Sequence, residues 1–126
     1  MKYELKSFLV GSVILIALDA LFLMFNQKLF ERTVITIQKT SMQLRVESLA
    51  ACYVLLTVGL WFFIVRRHRS PLEAFALGIL VYGVYETTTY AAFKHWPLSI
   101  VAMDILWGGL LFGATTAATY QAMKFL

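Results

Sequence analysis

The sequence predicts an all-α membrane protein in which four transmembrane helices form an antiparallel bundle. Three observations predict this fold class. Of 126 residues, 60% are hydrophobic and only 14% are charged, whereas a typical soluble domain has about 25% charged residues. Four stretches reach the length of about 20 mainly apolar residues that a helix needs to cross a bilayer. All four are continuously apolar rather than alternating, which excludes a transmembrane barrel.

Composition also excludes several other classes. Cys52 is the only cysteine, so a disulfide-stabilised secreted scaffold is excluded. The net charge is only +4, and the one dense basic run, at 66–69, is a short connector, so we expect no nucleic-acid partner. We find no glycine-rich phosphate loop, no clustered metal ligands and no catalytic triad. The sequence therefore predicts no metal and no cofactor, and it favours a protein that is not an enzyme.

The four predicted spans lie in a single domain that covers residues 1–126. Their boundaries are 7–27, 48–65, 71–93 and 97–121. The first span carries Asp19, the third Glu86 and the fourth Asp104, whereas the second has no charge. The first span is long for a secretory signal, contains an acid and lacks a clear small-x-small cleavage site. We therefore expect it to be retained as a membrane helix.

Local motifs mark two of the span boundaries. Ser70, Pro71 and Glu73 fit a capping box with proline at the first helical position, so Glu73 is expected to cap the third helix rather than to act as a catalyst. Pro97 opens the fourth span, at a position where an N–H group would be unpaired in any case. Only 94–96 separate the third and fourth spans, which predicts a tight antiparallel hairpin.

The connection from 28 to 47 is the only long polar one, and we predict an amphipathic helix there. Apolar residues share one face of a helical wheel, and charged residues share the opposite face. The apolar ones are Phe30, Val34, Ile37 and Leu44, and the charged ones are Lys28, Glu31, Arg32 and Lys39. Such a helix would lie on the membrane surface or cover the bundle. The alternative is a mobile loop with incidental periodicity.

Charge distribution predicts the orientation. The Lys and Arg totals of the two sides are nearly equal, but the basic run at 66–69 lies directly at the end of a span, where the positive-inside rule is strongest. We therefore expect both termini in the cytoplasm and the protein in a plasma or inner membrane. The lipid bilayer is the expected partner, and a homodimer or a larger membrane complex stays open.

The three acids within the spans are predicted to lie at one depth. Asp19, Glu86 and Asp104 each fall about 10–12 Å below the same interface at the helical rise of 1.5 Å per residue. Charged residues in a bundle turn away from lipid, so these three carboxyl groups are expected to meet in the interior. Like charges in a low dielectric cannot all ionise, which implies a bound proton or cation. The alternative is that the acids only join helices by hydrogen bonds.

Polar and small residues accompany these acids. Tyr82 and Thr89 lie one helical turn from Glu86, and Trp107 lies one turn from Asp104. We include these residues and Thr88 with the acids in a predicted site for a ligand or proton, because oxygen ligands suit a proton, a hard cation or an amine. A stripe of small residues, namely Gly109, Gly113 and Ala117, predicts close helix packing or a dimer seam.

Two parts of the sequence resemble a known family. The run from Tyr82 to Gly108, YGVYETTTYAAFKHWPLSIVAMDILWG, resembles the signature of the small four-span proteins of domain-of-unknown-function family 2177, and the Asp19 segment LDAL resembles its first-span motif. The family usually has aspartate at Glu86 and often asparagine at Thr89. The resemblance implies a four-span membrane protein without assigning an activity. It implies these family positions: Asp19, Glu86, Thr88, Trp96, Pro97, Asp104, Trp107 and Gly108.

These sequence features leave three candidate functions. The first hypothesis is binding or permeation of a proton, a cation or a small polar solute through the cluster of acids, which would open to the non-cytoplasmic side. The second is a structural or accessory subunit of a membrane complex, with the acids as packing groups. The third is a small membrane enzyme that acts on a lipid, with one acid as general base.

Overall fold

A computed structural model describes residues 2–38 and 45–126, and these residues form four α-helices and one π-helical turn without any strand. This confirms the all-α prediction. The helices are α1 (Lys2–Gln38), α2 (Val46–Leu60), α3 (Pro71–Ala92) and α4 (Leu98–Met123), and the π turn (Trp61–Val65) continues α2.

Successive helices run antiparallel, as predicted. Tyr3 near the N-terminus, His68 in the connector before α3 and Lys124 after α4 line one small depression, so both termini and this connector share one end of the bundle. The Tyr120 hydroxyl donates to the Arg69 carbonyl at 2.6 Å and ties α4 to the connector. That this end faces the cytoplasm stays a prediction.

Three of the helices are long and apolar enough to cross a membrane. They are Lys2–Ile35 within α1, Val46–Val65, which combines α2 with the π turn, and Leu98–Met123, which is α4. The α3 helix has 22 residues, about 33 Å at 1.5 Å per residue, but Glu86, the adjoining threonines and its tyrosines lower its mean hydropathy. It packs antiparallel along α4, and its assignment as a fourth crossing stays a prediction.

The α1 helix is much longer than the first predicted span. Its 37 residues extend about 55 Å, whereas the hydrocarbon core is about 30 Å thick. The expected amphipathic helix is partly present, because residues 28–38 are helical, but they continue α1 instead of forming a separate element. Neither glycine nor proline occurs between Gly11 and Gly59, so no such residue interrupts the helix at residue 27. Residues 39–44, with Lys39 and Leu44, lie outside the described residues.

The extension of α1 reaches the hairpin between α3 and α4. Thr33 is buried there, and its hydroxyl donates to the Leu29 carbonyl of the preceding turn at 2.9 Å. Thr33 and Leu29 line a depression together with His95 and Pro97 of the hairpin. The extension therefore lies beside the end of the bundle where the candidate site is found.

The α3 and α4 helices approach each other very closely, as the small residues predict. A Cβ atom on Gly78 would lie 2.2 Å from the carbonyl oxygen of Gly108, so no larger residue fits there unless the helices shift. Gly109 and Gly113 both face Phe75 of α3. The glycines of the stripe thus pack inside the bundle.

The connector before α3 has the predicted capping box. The Glu73 N–H donates to the Ser70 hydroxyl at 3.2 Å, and the Ser70 N–H donates to the Glu73 carboxylate at 3.1 Å. Arg69 adds an exposed ion pair with Glu73 at 3.3 Å. These bonds satisfy donors of the first turn and fix the start of α3.

The π turn was not predicted from the sequence. In it the Arg66 N–H donates to the Trp61 carbonyl at 2.8 Å, five residues earlier. The Arg66 guanidinium lies over the Phe62 ring, 4.2 Å from its centroid, which favours this conformation at the end of the span. The wider turn leaves the predicted boundary of the second span at residue 65 in place.

The second helix is held mainly from one side. Its contacts are with α1, whereas α3 packs along α4 and makes little contact with α2. The apolar core includes Leu15 of α1, Leu60 of α2 and Phe112 of α4. Between α2 and α3 the bundle is consequently open, and this opening contains part of the candidate site.

Candidate functional site

Asp19 is the centre of a hydrogen-bonded contact among three helices. Its side chain is only 8% exposed. One carboxylate oxygen, Oδ2, accepts from the Tyr53 hydroxyl of α2 at 2.6 Å, and Oδ1 accepts from Trp107 Nε1 of α4 at 3.0 Å. The Trp107 ring stacks on Phe22, one turn after Asp19, with a centroid distance of 4.6 Å. Both carboxylate oxygens therefore have a protein donor.

Glu86 and Asp104 form a pair of carboxyl groups between α3 and α4. Glu86 is 1% exposed, and its Oε1 accepts from Trp96 Nε1 of the hairpin at 2.9 Å. The Asp104 carboxyl group lies close enough to Glu86 for the two groups to interact electrostatically. We call these two residues the carboxyl pair. Asp104 is half-buried, so the pair has one enclosed member and one accessible member.

The three acids lie near one another, but their hydrogen-bond partners differ. Asp19 is near enough to Asp104 for an electrostatic interaction, but its hydrogen bonds go to Tyr53 and Trp107. Within residues 2–38 and 45–126, no group of three acidic, histidine or cysteine side chains is placed to hold a metal ion.

A groove of about 540 Å³ separates α2 from α3, and Asp104 of α4 lies at its inner side. Exposed apolar side chains form its rim, including Leu55, which is 73% exposed. The residues that line it are Ser48, Ala51, Cys52, Leu55, Leu56, Val81, Tyr82, Tyr85 and Asp104. In a membrane, this lateral opening faces the lipid.

Tyr82, which the sequence placed in the site, lies beside the carboxyl pair. Its ring packs directly over Gly108, where a Cβ atom would come within 2.3 Å of the ring carbons. It also meets Phe112 edge to face, with centroids 6.3 Å apart. Gly108 is one turn from Asp104, so the glycine allows the tyrosine to reach the groove beside the carboxyl group.

The hydroxyl groups of the two predicted threonines bond to carbonyl groups within α3 and not to the carboxyl pair. The Thr88 hydroxyl donates to the Val84 carbonyl at 2.7 Å, and the Thr89 hydroxyl donates to the Tyr85 carbonyl at 2.9 Å. Thr88 is exposed, and because it is two residues from Glu86 it lies on the opposite side of α3. A ligand-binding role for these threonines stays a prediction.

Sequence reasoning missed two partners of the acids, Tyr53 and Trp96. Tyr53 lies seven residues after the start of α2, about 10 Å deep by helical rise, which is the depth calculated for the three acids. Counted from the predicted start of the second span at residue 48, the same arithmetic gives only about 7.5 Å, so the sequence alone did not single out Tyr53. The indole N–H of Trp96, a position that the family resemblance implied without a role, donates back along the chain to Glu86.

The sequence profile of the family described as "Predicted membrane protein (DUF2177)" matches residues 4–121, nearly the whole chain. The protein belongs to this family. The match confirms the resemblance that was stated from the Tyr82–Gly108 run and supports an integral membrane protein, in agreement with the three apolar helices. The function of this family of predicted membrane proteins is not established. No curated protein and no solved structure matches the chain significantly.

Proposed function

We propose that this membrane protein binds a proton, or a small cation that takes its place, at the carboxyl pair of Glu86 and Asp104 as a step in permeation. One observation carries the proposal, namely that Glu86 is enclosed and has a second carboxyl group, that of Asp104, as its neighbour. Mutual repulsion in a low dielectric opposes the doubly ionised state.

The two members of the pair have different roles in this proposal. Glu86 is enclosed and receives the Trp96 indole N–H, so it is held in one position. Asp104 lies at the groove and is the member that can exchange its proton with the surroundings. A proton that leaves Asp104 is then replaced by another proton or by a cationic group, which restores the charge balance of the site.

Asp19 has a structural role in this proposal. Its two oxygens already accept hydrogen bonds from Tyr53 and Trp107, which belong to different helices. Asp19 therefore joins α1, α2 and α4, as a packing group would.

Proton flux into proteoliposomes tests this function. Purified protein is reconstituted with a pH-sensitive dye inside the vesicles, and an imposed pH gradient is followed over time. We expect the wild type to dissipate the gradient faster than protein-free vesicles, and Glu86→Gln and Asp104→Asn to lose this activity. Glu47→Gln, which changes an exposed acid in the first turn of α2, is the matched control.

The Asp19→Asn variant tests whether Asp19 has a structural role that differs from the role of the carboxyl pair. The Tyr53 hydroxyl can accept as well as donate, so an asparagine can keep both hydrogen bonds, and we expect this variant to retain flux. Wild-type flux no greater than that of empty vesicles would contradict permeation. Equal flux in the wild type and Asp104→Asn would contradict the assignment to the carboxyl pair.

A further inference from the structure

We infer that the groove between α2 and α3 binds an amphiphilic amine from the lipid phase, with its ammonium group on Asp104 and its apolar body between the two helices. The inference rests on the proposed function of the carboxyl pair and names the class of cation that would replace its proton. Its basis is the groove itself, in which an acidic side chain lies at the inner side of an otherwise mostly apolar surface.

The size and lining of the groove suit such a molecule. Its volume of about 540 Å³ lies within the range of about 300–1,000 Å³ that is usual for sites of small organic ligands. Ala51, Leu55, Leu56 and Val81 supply apolar walls for a hydrocarbon body. A purely hydrated ion would gain nothing from these walls, whereas an alkyl chain would remain in an environment as apolar as lipid.

The charge of the site favours a monovalent cation. An ammonium group at Asp104 carries the same single positive charge as the proton that it would replace, so it would restore the charge of the carboxyl pair. The rings of Tyr82 and Tyr85 also border the groove, and aromatic faces attract cations. An ammonium group donates up to three hydrogen bonds, which the Asp104 carboxylate can accept.

Access to the groove is lateral. From Ser48 to Leu56 the lining of α2 spans eight residues, about 12 Å along the helix, and α2 makes little contact with α3 along this length. Leu55 and Val81 at the rim are exposed. A molecule that is already dissolved in the membrane can therefore enter sideways with its polar end directed inward.

Cys52 provides a native reporter for occupancy. It is exposed, lines the groove and is the only cysteine in the chain. The full protein in lipid nanodiscs is treated with N-ethylmaleimide, and the rate of alkylation is followed by mass spectrometry. We expect dodecylamine to slow this reaction about tenfold at the concentration that fills about nine tenths of the sites, because the thiol then reacts only in the unoccupied fraction. Dodecanol, which has the same chain without the charge, should not slow it.

Two variants serve as controls. The double variant Cys52→Ala/Ala50→Cys moves the thiol to an exposed position of α2 that does not line the groove, and dodecylamine should not protect it. Asp104→Asn keeps the cysteine in place and should lose the protection. The inference is overturned if dodecanol protects as well as dodecylamine, if the thiol at position 50 is protected equally, or if protection persists in Asp104→Asn.

The proton-flux assay distinguishes failure of this inference from failure of the proposed function. If dodecylamine does not protect Cys52 while Glu86→Gln and Asp104→Asn still abolish flux, the groove inference is wrong and the carboxyl pair keeps its role. If neither substitution changes flux, the proposed function is wrong, and the inference that depends on it is overturned as well.

Discussion

Asp19 and Asp104 are two aspartates at a similar depth in the same bundle, but their surroundings differ. Asp19 is 8% exposed and accepts from a tyrosine and a tryptophan on two other helices. Asp104 is half-buried, faces a second carboxyl group and borders an open groove. The difference teaches that depth in the membrane does not assign a role to an acid. The number of protein donors on its oxygens and its access to the outside do.

Glu86 lies between these two extremes. It is the most enclosed acid, at 1% exposure. Its Oε1 accepts a hydrogen bond from the Trp96 indole, and Asp104 lies opposite. This contrast in partners and exposure is why we propose exchange at the carboxyl pair and packing at Asp19.

The largest expected effect comes from the helix contact that holds the carboxyl pair together. In Gly78→Ala the new methyl group would meet the Gly108 carbonyl oxygen at 2.2 Å, and α3 and α4 would have to separate. We expect a loss of about 3 kcal/mol in the free energy of unfolding, the upper end for overpacked sites. Unfolding by sodium dodecyl sulfate in mixed micelles measures it.

Gly83→Ala is the matched control for this substitution. Gly83 is on the same helix, and nothing lies within 4 Å of its added Cβ atom. Alanine has a higher helix propensity by about 1 kcal/mol, so this variant should be as stable as the wild type or more stable. Equal stability of the two alanine variants would contradict the close approach of α3 and α4.

The next largest effect is the loss of stability expected when Asp19, in contrast to Asp104, is replaced. Asp19→Ala would leave the Tyr53 hydroxyl and the Trp107 N–H without their acceptor, at about 1–3 kcal/mol for an unsatisfied buried donor. Thermal unfolding in detergent, followed by tryptophan fluorescence, should show a clearly lower midpoint. A midpoint equal to that of the wild type would contradict the structural role of Asp19.

Asp104→Ala should be much less costly to stability. It leaves Glu86 with its Trp96 donor and only enlarges a groove that is already open. We expect a loss of less than about 1 kcal/mol, in the range measured for single interhelical hydrogen bonds in membranes. If the same thermal assay ranked this variant below Asp19→Ala, the division between packing and exchange would be reversed.

The smallest effect is expected at Thr88. It lies on an exposed side of α3, and its hydroxyl bonds to the Val84 carbonyl of the same helix. Thr88→Ala should change stability by no more than about 0.5 kcal/mol, as is usual for surface sites, and should leave proton flux unchanged. A loss of flux in this variant would place the site on the other face of α3.

Much of the fold could be predicted from local sequence patterns. The capping box of Ser70 and Glu73 depends on residues three positions apart, and it is present as predicted. The close packing of Gly109 and Gly113 also follows from residue size alone. The continuation of α1 through residue 38 could not be read from the polarity change at residue 28, because polarity alone does not end a helix.

The sequence gives an expected depth for the three acids, but it does not indicate which acids face each other. The rise per residue gives the depth of Asp19, Glu86 and Asp104 along the bundle. Which acids face one another depends on how the helices rotate about their axes, and this rotation is set by contacts such as Gly78 on Gly108. The bond from Trp96 to Glu86 further depends on the path of the hairpin, which no periodic pattern specifies.

Infrared spectroscopy of the carboxyl groups tests the shared proton most directly. The protein in nanodiscs at neutral pH should show the carbonyl stretch of a protonated, hydrogen-bonded carboxyl group. We expect Glu86→Gln and Asp104→Asn each to shift or remove this band and Asp19→Asn to leave it unchanged. Absence of the band in the wild type, or a band that responds only to Asp19→Asn, would rule out a shared proton at the carboxyl pair.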